Sequence, residues 1–271
     1  MGHVFSGGIH LPFDIIYLII SELASDEDIG SLKACSLTCK AILPLARKHI
    51  FAVVEVDNVD GCKPGEEPPA NGFKWLLESD PSIADYVRTF KYVEILNSNH
   101  DRPRWPVLRN ATVLEFGFRY HDGDTPENYG RQVWENIASS LRTSFCDFVS
   151  SNSINELSLC NVSFPVSFFH QLPNLTNFEI DNVSFVDNAD RGSFRKAKLM
   201  RLVILDTCAG DLRLLLGGIV DLTQLQELYM ESFVSEPSIT RTMLLRILFQ
   251  PLSSSKLLAS KASLAIHNFN I

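Results

Sequence analysis

The stretch Ile154-Asn155-Glu156-Leu157-Ser158-Leu159-Cys160-Asn161-Val162-Ser163-Phe164 has a second version starting 21 residues later: Leu175-Thr176-Asn177-Phe178-Glu179-Ile180-Asp181-Asn182-Val183-Ser184-Phe185. Both run apolar-x-x-apolar-x-apolar, and both end on Asn-Val-Ser-Phe. The alternating part suits a strand with one buried face. The pattern alone is weak in a chain that is 45% apolar. A tetrapeptide duplicated in the same register is stronger, because it implies two copies of one structural unit.

Working outward, the same pattern appears as Val87-x-x-Phe90-x-Tyr92, Ala111-x-x-Leu114-x-Phe116, Leu199-x-x-Leu202-x-Ile204 and Leu225-x-x-Leu228-x-Met230. The intervals along the chain are 24, 43, 21, 24 and 26 residues. The interval of 43 fits either one degenerate unit or one unit with a large insertion. Helix-like segments fall between or beyond the strands: Val133 to Val149, Val166 to Leu172 (helical or 3₁₀), Asp211 to Val220, and Ser238 to Phe249 between Pro237 and Pro251. Ala262 to Ile266 reads as one more strand. A period of about 20 to 29 residues with one strand and one helix per unit predicts a leucine-rich-repeat solenoid. Such units bury their apolar faces only by stacking.

The N-terminal residues read differently. Ile15, Ile16, Ile19, Ile20 and Leu23 form a helical stripe after Pro12, which suits a first helical position. Asp26 to Gly30 reads as a loop, and Ser31 as the cap of a short helix through Leu37. A further helix runs from Thr38 toward Phe51, with a break near Leu43 imposed by Pro44. Val53, Val54 and Val56 suggest a strand. Asn58 to Asn71 carries Asp-Gly, Pro-Gly and Pro-Pro and reads as a loop and domain boundary. A short helix around Phe73 to Leu77 follows. The expected organisation is a helical domain over 11–51, a linker over 52–84 and repeats over 85–271.

Composition narrows the function. The chain of 271 residues carries 24 Lys and Arg against 32 Asp and Glu, a net charge of −8. It has no basic tract, and Arg102-Pro103-Arg104 is too small for a nucleic-acid patch, so no nucleic acid is expected. The 6 cysteines are irregularly spaced and read as reduced thiols of a cytoplasmic or nuclear protein. The longest apolar run, Ile15 to Ile20, is far short of the about 20 residues that span a bilayer. A membrane enters only if Met1-Gly2-His3-Val4-Phe5-Ser6, which fits the myristoylation pattern, is lipidated. The four Asn-x-Ser/Thr sequons are read as chance, because no secretory signal accompanies them.

Chemistry-bearing motifs are missing. The sequence holds no Gly-x-Ser-x-Gly elbow, no phosphate-binding Gly-Lys-Ser/Thr loop, no dinucleotide glycine fingerprint and no His-Glu-x-x-His. Cys35 and Cys39 at i, i+4, with His49 and Cys62, fit a zinc site on paper. The same spacing fits two small buried residues, and packing is the preferred reading. His49, after Arg47-Lys48, suits a cation at a helix C-terminus. Trp75, Trp105 and Trp134 are read as core. No enzyme, metal or cofactor is expected.

Two segments carry a family resemblance. Leu11-Pro12-Phe13-Asp14-Ile15-Ile16-Tyr17-Leu18-Ile19-Ile20-Ser21-Glu22-Leu23 resembles the start of an F-box: Leu-Pro, an acid, then an aliphatic helix closing on Leu. Leu32 to Lys40, then Leu43-Pro44-Leu45-Ala46-Arg47 and His49-Ile50-Phe51, look like its second half, in the form common among F-box-like proteins of mushroom-forming fungi. Ile42 stands where that family usually has Trp, and Thr38 where it has Val. Together with the repeat period, the resemblance points to an α/β chain made of a three-helix F-box-like unit followed by an irregular leucine-rich-repeat solenoid with a parallel sheet. It implies a substrate receptor that binds the Skp-type adaptor, and through it cullin, by Leu11, Pro12, Ile15, Ile19, Leu23, Leu37 and Ile42. The alternative is a non-catalytic repeat scaffold whose helices only cap the solenoid.

The strand residues between the pattern positions point to the other face of the sheet. In four units these are Glu156, Ser158, Cys160; Asn177, Glu179, Asp181; Arg201, Val203, Leu205; and Glu227, Tyr229, Glu231, of which five are acidic and one is basic. Glu156, Glu179, Asp181, Glu227 and Glu231, with Val203 and Tyr229 as apolar anchors, are the expected contacts for a basic, Lys/Arg-containing target protein. An ordinary solvated face explains the same acids.

Overall fold

The computed structural model describes residues 12–58, 69–95, 105–119, 132–186, 196–206, 214–215, 220–236, 239–248 and 263–268. The chain divides into two compact units, Met1–Val54 and Glu55–Ile271, so the division precedes the loop-rich stretch that composition singled out.

The first unit holds α1 (Phe13–Ser25), α2 (Ile29–Ser36) and α3 (Leu43–Ile50). Each contributes one fully covered side chain to a small core: Ile20, Leu32 and Ala46. Pro12 is the residue before the first turn rather than in it, and its carbonyl accepts from the amides of Ile15 and Ile16. The cap of α2 is Asp28, not Ser31: the Asp28 carboxylate accepts from the Ser31 amide at 2.9 Å, so Ile29 and Gly30 are already helical. Pro44 lies in the first turn of α3, where its missing N–H costs nothing. The helix expected from Thr38 therefore starts at Leu43.

The second unit is built on strands. In chain order they are β1 (Val53–Asn58, spanning the division), β2 (Thr89–Ile95), β3 (Val113–Arg119), β4 (Gln132–Val133), β5 (Glu156–Cys160), β6 (Val162–Pro165), β7 (Asn177–Asp181), β8 (Ser184–Val186), β9 (Ala197–Lys198), β10 (Arg201–Leu205), β11 (Val220–Asp221), β12 (Glu227–Glu236), β13 (Ile239–Leu248) and β14 (Ser263–Asn268). Two helices join them, α4 (Pro69–Ser79) and α5 (Ser139–Ser151). The main sheet has nine strands in the order β1-β2-β3-β5-β7-β10-β12-β13-β14.

From β2 to β12 successive neighbours are parallel and in register. Phe90, Leu114, Leu157, Phe178, Leu202 and Leu228 form one row across the strands, and Tyr92, Phe116, Leu159, Ile180, Ile204 and Met230 the next. These are the pattern positions of all six units. The leading positions, Val87, Ala111, Ile154, Leu175, Leu199 and Leu225, are buried, as are both rows from β2 through β10. Where each strand begins, one carbonyl of the preceding unit accepts two successive amides: Arg88 O from Thr112 and Val113, Thr112 O from Asn155 and Glu156, Asn155 O from Thr176 and Asn177, Thr176 O from Met200 and Arg201, and Met200 O from Gln226 and Glu227.

Where the strands end, Asn161, Asn182 and Asp206 adopt φ of 53°, 49° and 40°, the left-handed region that Asn and Asp tolerate. Their amides donate to Asp181 O, Leu205 O and Glu231 O at 3.0, 3.1 and 3.1 Å. The side chains form a ladder: Asn182 Nδ2 donates to Asn161 Oδ1 at 2.8 Å, and Asn161 Nδ2 to Phe118 O at 2.8 Å. The turned chain then enters a second, three-stranded sheet, β4-β6-β8. There Ser184 Oγ donates to Ser163 Oγ at 2.7 Å. The duplicated Asn-Val-Ser-Phe is thus a corner.

The interval of 43 residues is an insertion. β3 pairs directly with β5, and β4 and α5 lie between them in sequence. The helix expected over Val133–Val149 begins only at Ser139, because Val133 joins β4 and Trp134–Asn136 form a 3₁₀ turn. α5 buries Leu141, Phe145 and Phe148. Phe145 lies 4.9 Å from the ring of Phe116 and 5.1 Å from that of Phe168. Trp134 and Trp105 belong to this aromatic core, whereas Trp75 is exposed, contrary to its reading as core.

Ser238–Phe249 does not form the expected helix. Ile239–Leu248 is β13, paired antiparallel with β12 over ten residues. The run Met243-Leu244-Leu245 fits either period, and a ten-residue β12 offers a free edge that decides it. The expected strand at Ala262–Ile266 is β14, but it pairs antiparallel with β13 instead of extending the parallel series. The helix expected over Asp211–Val220 lies mostly outside the described residues. The loop expected through Asn71 ends early, with Pro69 opening α4.

The corner asparagines yield a stability test. Asn161→Ala removes the donor to Phe118 O and the acceptor for Asn182 and leaves a Cβ residue at positive φ. A loss of about 2–4 kcal/mol is expected in urea unfolding. Asn161→Gly keeps the backbone relaxed, so its loss should be smaller by about 1 kcal/mol.

Candidate functional site

Two surfaces contain the residues singled out from sequence. On the helical unit, α1 carries apolar side chains around most of its circumference. At 100° per residue, Ile15, Leu18 and Ile19 share one side with Glu22, and Phe13 and Tyr17 share another. Ile20 faces the small core. Ile15, Ile19, Phe13, Tyr17 and Leu18 are all exposed, Leu18 at 61%. Leu37, just past α2, is 86% exposed. Pro12 is exposed, while Leu23 and Ile42 are half-buried. Leu11 lies outside the described residues. Phe13, Tyr17 and Leu18 belong to the apolar excess that so small a unit cannot cover, although the expected adaptor contacts did not include them.

The cysteine pair is not a packed pair. α2 ends at Ser36, so Cys35 and Cys39 do not share a helix, and Cys39 is exposed. Cys62 lies outside the described residues. Among the described residues no three His, Cys, Asp or Glu side chains are grouped to hold a metal ion. His49 stands in the last turn of α3, as expected, but its ring is not held as a cation there. Burial, with Lys48 beside it, holds its pKa below the ordinary histidine value and favours the neutral ring.

The second surface is the face of the main sheet opposite the aromatic core. Across it run three in-register rows: Thr89, Val113, Glu156, Asn177, Arg201, Glu227; then Lys91, Glu115, Ser158, Glu179, Val203, Tyr229; then Val93, Gly117, Cys160, Asp181, Leu205, Glu231. The five predicted acids and Tyr229 are on this face and half-buried. Val203 is there too, but only 6% exposed. It is a short side chain between Glu179 and Tyr229 in the register, so it is not the expected apolar anchor.

Charges on this face are unevenly paired. At the β1–β3 end, Lys91 Nζ lies 2.7 Å from Glu115 Oε1, and Arg119 Nη1 lies 2.7 Å from Asp57 Oδ2. Further along, Asn177 Nδ2 donates to Glu156 Oε2 at 3.2 Å, Arg201 Nε stands 3.5 Å from Glu227 Oε2, and Tyr229 OH donates to Glu231 Oε2 at 3.0 Å. Arg246 of β13 stands opposite Tyr229 in the register. Burial raises the pKa of Glu179 despite Arg201, with Glu115, Glu156 and Asp181 adding to the rise. Burial raises that of Asp181 as well, with Asp206 and Glu231 reinforcing it and a bond from Cys160 Sγ at 3.7 Å opposing it. The Cys160 thiol is pushed up to about 12, first by burial and then by Asp181. Gly117 is fixed by the same neighbour: a Cβ there would meet Cys160 Cβ at 2.8 Å. Lys91, Glu115 and Arg119 belong to β2 and β3, outside the four most regular units, so the repeat pattern does not single them out.

No helix among the described residues is long and apolar enough to cross a membrane. No family model, curated protein or solved structure matches this chain.

Two measurements follow. Glu179 and Asp181 have raised folded pKa values, so their ionisation opposes folding, and stability falls as pH climbs through their titration. Glu179→Gln with Asp181→Asn should therefore unfold at higher urea than the parent at about pH 7, with the gap closing below about pH 4. In peptide mapping at mildly alkaline pH, Cys160 should be alkylated by iodoacetamide far more slowly than exposed Cys39.

Proposed function

We propose that the chain is a non-catalytic substrate receptor of a Skp-cullin-F-box ubiquitin ligase, acting in the cytoplasm or nucleus. Its helical unit docks on a Skp-type adaptor, and its leucine-rich-repeat-like sheet holds a target protein near the transferring enzyme. The contribution to the reaction is proximity alone. The observation that carries this reading is the apolar side chains left in water on a unit this small: Phe13, Ile15, Tyr17, Leu18, Ile19 and Leu37. Exposed apolar area concentrated on one small unit marks a contact surface. The F-box resemblance of residues 11–51 supplies the identity of the partner. The carboxylates on the sheet face favour a target segment carrying Lys or Arg.

The test is capture of a purified Skp-type adaptor by the full chain. Ile19→Asp and Leu37→Asp change exposed residues, so the thermal transition should stay in place while capture weakens by about 30-fold or more. No capture by the parent chain, or equal capture by both variants, overturns the proposal.

A further inference from the structure

The segment before β2 and the segment before β3 leave a cleft of about 380 Å³ between them and the end of α4. Its walls are mainly apolar, with Leu77, Pro81, Ala84, Pro106 and Val107, and Ser82 beside them donates its hydroxyl to Asp80 Oδ1 at 2.6 Å. Val107 is 69% exposed, a branched aliphatic group left in water beside other apolar groups. The volume lies within the range of about 300–1,000 Å³ found for small-molecule sites.

The walls are tied to each other. Asn110 Nδ2 donates to Asp85 O at 2.9 Å, and Arg88 Nη1 donates to Asp85 O at 3.0 Å and to Asn110 O at 3.4 Å. The cleft is therefore formed before any ligand arrives, which lowers the ordering cost of binding. Two charged side chains, Asp85 and Arg109, complete the lining. Both are exposed, and among the described residues neither the Asp85 carboxylate nor the Arg109 guanidinium has a partner.

This combination selects a ligand class. A fatty acid would satisfy Arg109 but meet Asp85 as a like charge, and an apolar amine would do the reverse. A segment inside a polypeptide carries neither terminal charge. A ligand with both signs next to an aliphatic group matches the apolar walls and both charges. We propose that this cleft binds a free aliphatic α-amino acid, with its side chain on Pro106 and Val107, its carboxylate on Arg109 and its ammonium on Asp85.

The experiment uses the full chain, with leucine, leucinamide and N-acetyl-leucine as probes in ligand-observed NMR. Leucine should bind in the millimolar range or tighter. Leucinamide and N-acetyl-leucine, each lacking one charge, should bind several-fold more weakly. Arg109→Gln should erase the difference between leucine and leucinamide, and Asp85→Asn that between leucine and N-acetyl-leucine. Asn110→Ala, which unties the walls, should weaken all three probes alike. Absence of leucine binding at millimolar concentration, or equal binding of the three probes to the parent chain, overturns the assignment.

Discussion

The sheet-bearing unit depends on one constraint: parallel strands must stay in register so that two rows of apolar side chains stack without interruption from β2 to β12. A slip of one residue would turn every one of them toward the opposite face. The register is fixed from both ends of β5, β7 and β10, and from the start of β3 and β12. At the start, one carbonyl takes two amides of the next unit, from Arg88 through Met200. At the finish, Asn161, Asn182 and Asp206 turn left-handed and bond onward to the neighbouring unit. Apolar burial drives the stacking but has no direction, so these hydrogen bonds decide which residue stands beside which.

The repeats were legible because a period of two within strands and a literal duplication are both written in one dimension. Asn161-Val162-Ser163-Phe164 and its copy at 182–185 showed the unit, and the core rows are the residues that the pattern named. The local corrections have local causes. Asp28 and Ser31 are both capping residues, and only the carboxylate geometry shows which one caps α2. β13 was misread because Met243-Leu244-Leu245 satisfies both periods, and its partner β12 is known only in three dimensions.

The surfaces were less legible than the core. Exposure of Leu37 and Leu18 cannot be read from residue type, since leucine is the commonest of core residues. Val203 was expected to be open and is covered, because its neighbours in the register come from units 24 and 26 residues away. The cleft beside Val107 joins pieces of three elements that share no motif. Charge pairing is likewise a property of rows across the sheet, as Lys91 with Glu115 shows, and not of any one strand.

The insertion between β3 and β5 marks where this architecture tolerates change of length. The connection from Ala111 to Ile154 takes 43 residues where the next takes 21, yet the two strands still meet directly. Loop-closure entropy grows only logarithmically, so such a doubling costs about 0.6 kcal/mol. In this chain part of that cost is offset by α5, which lays Phe145 and Phe148 on the core. The connection is therefore the natural graft point of the molecule, where a foreign peptide or small domain can be spliced in with the strand order left untouched.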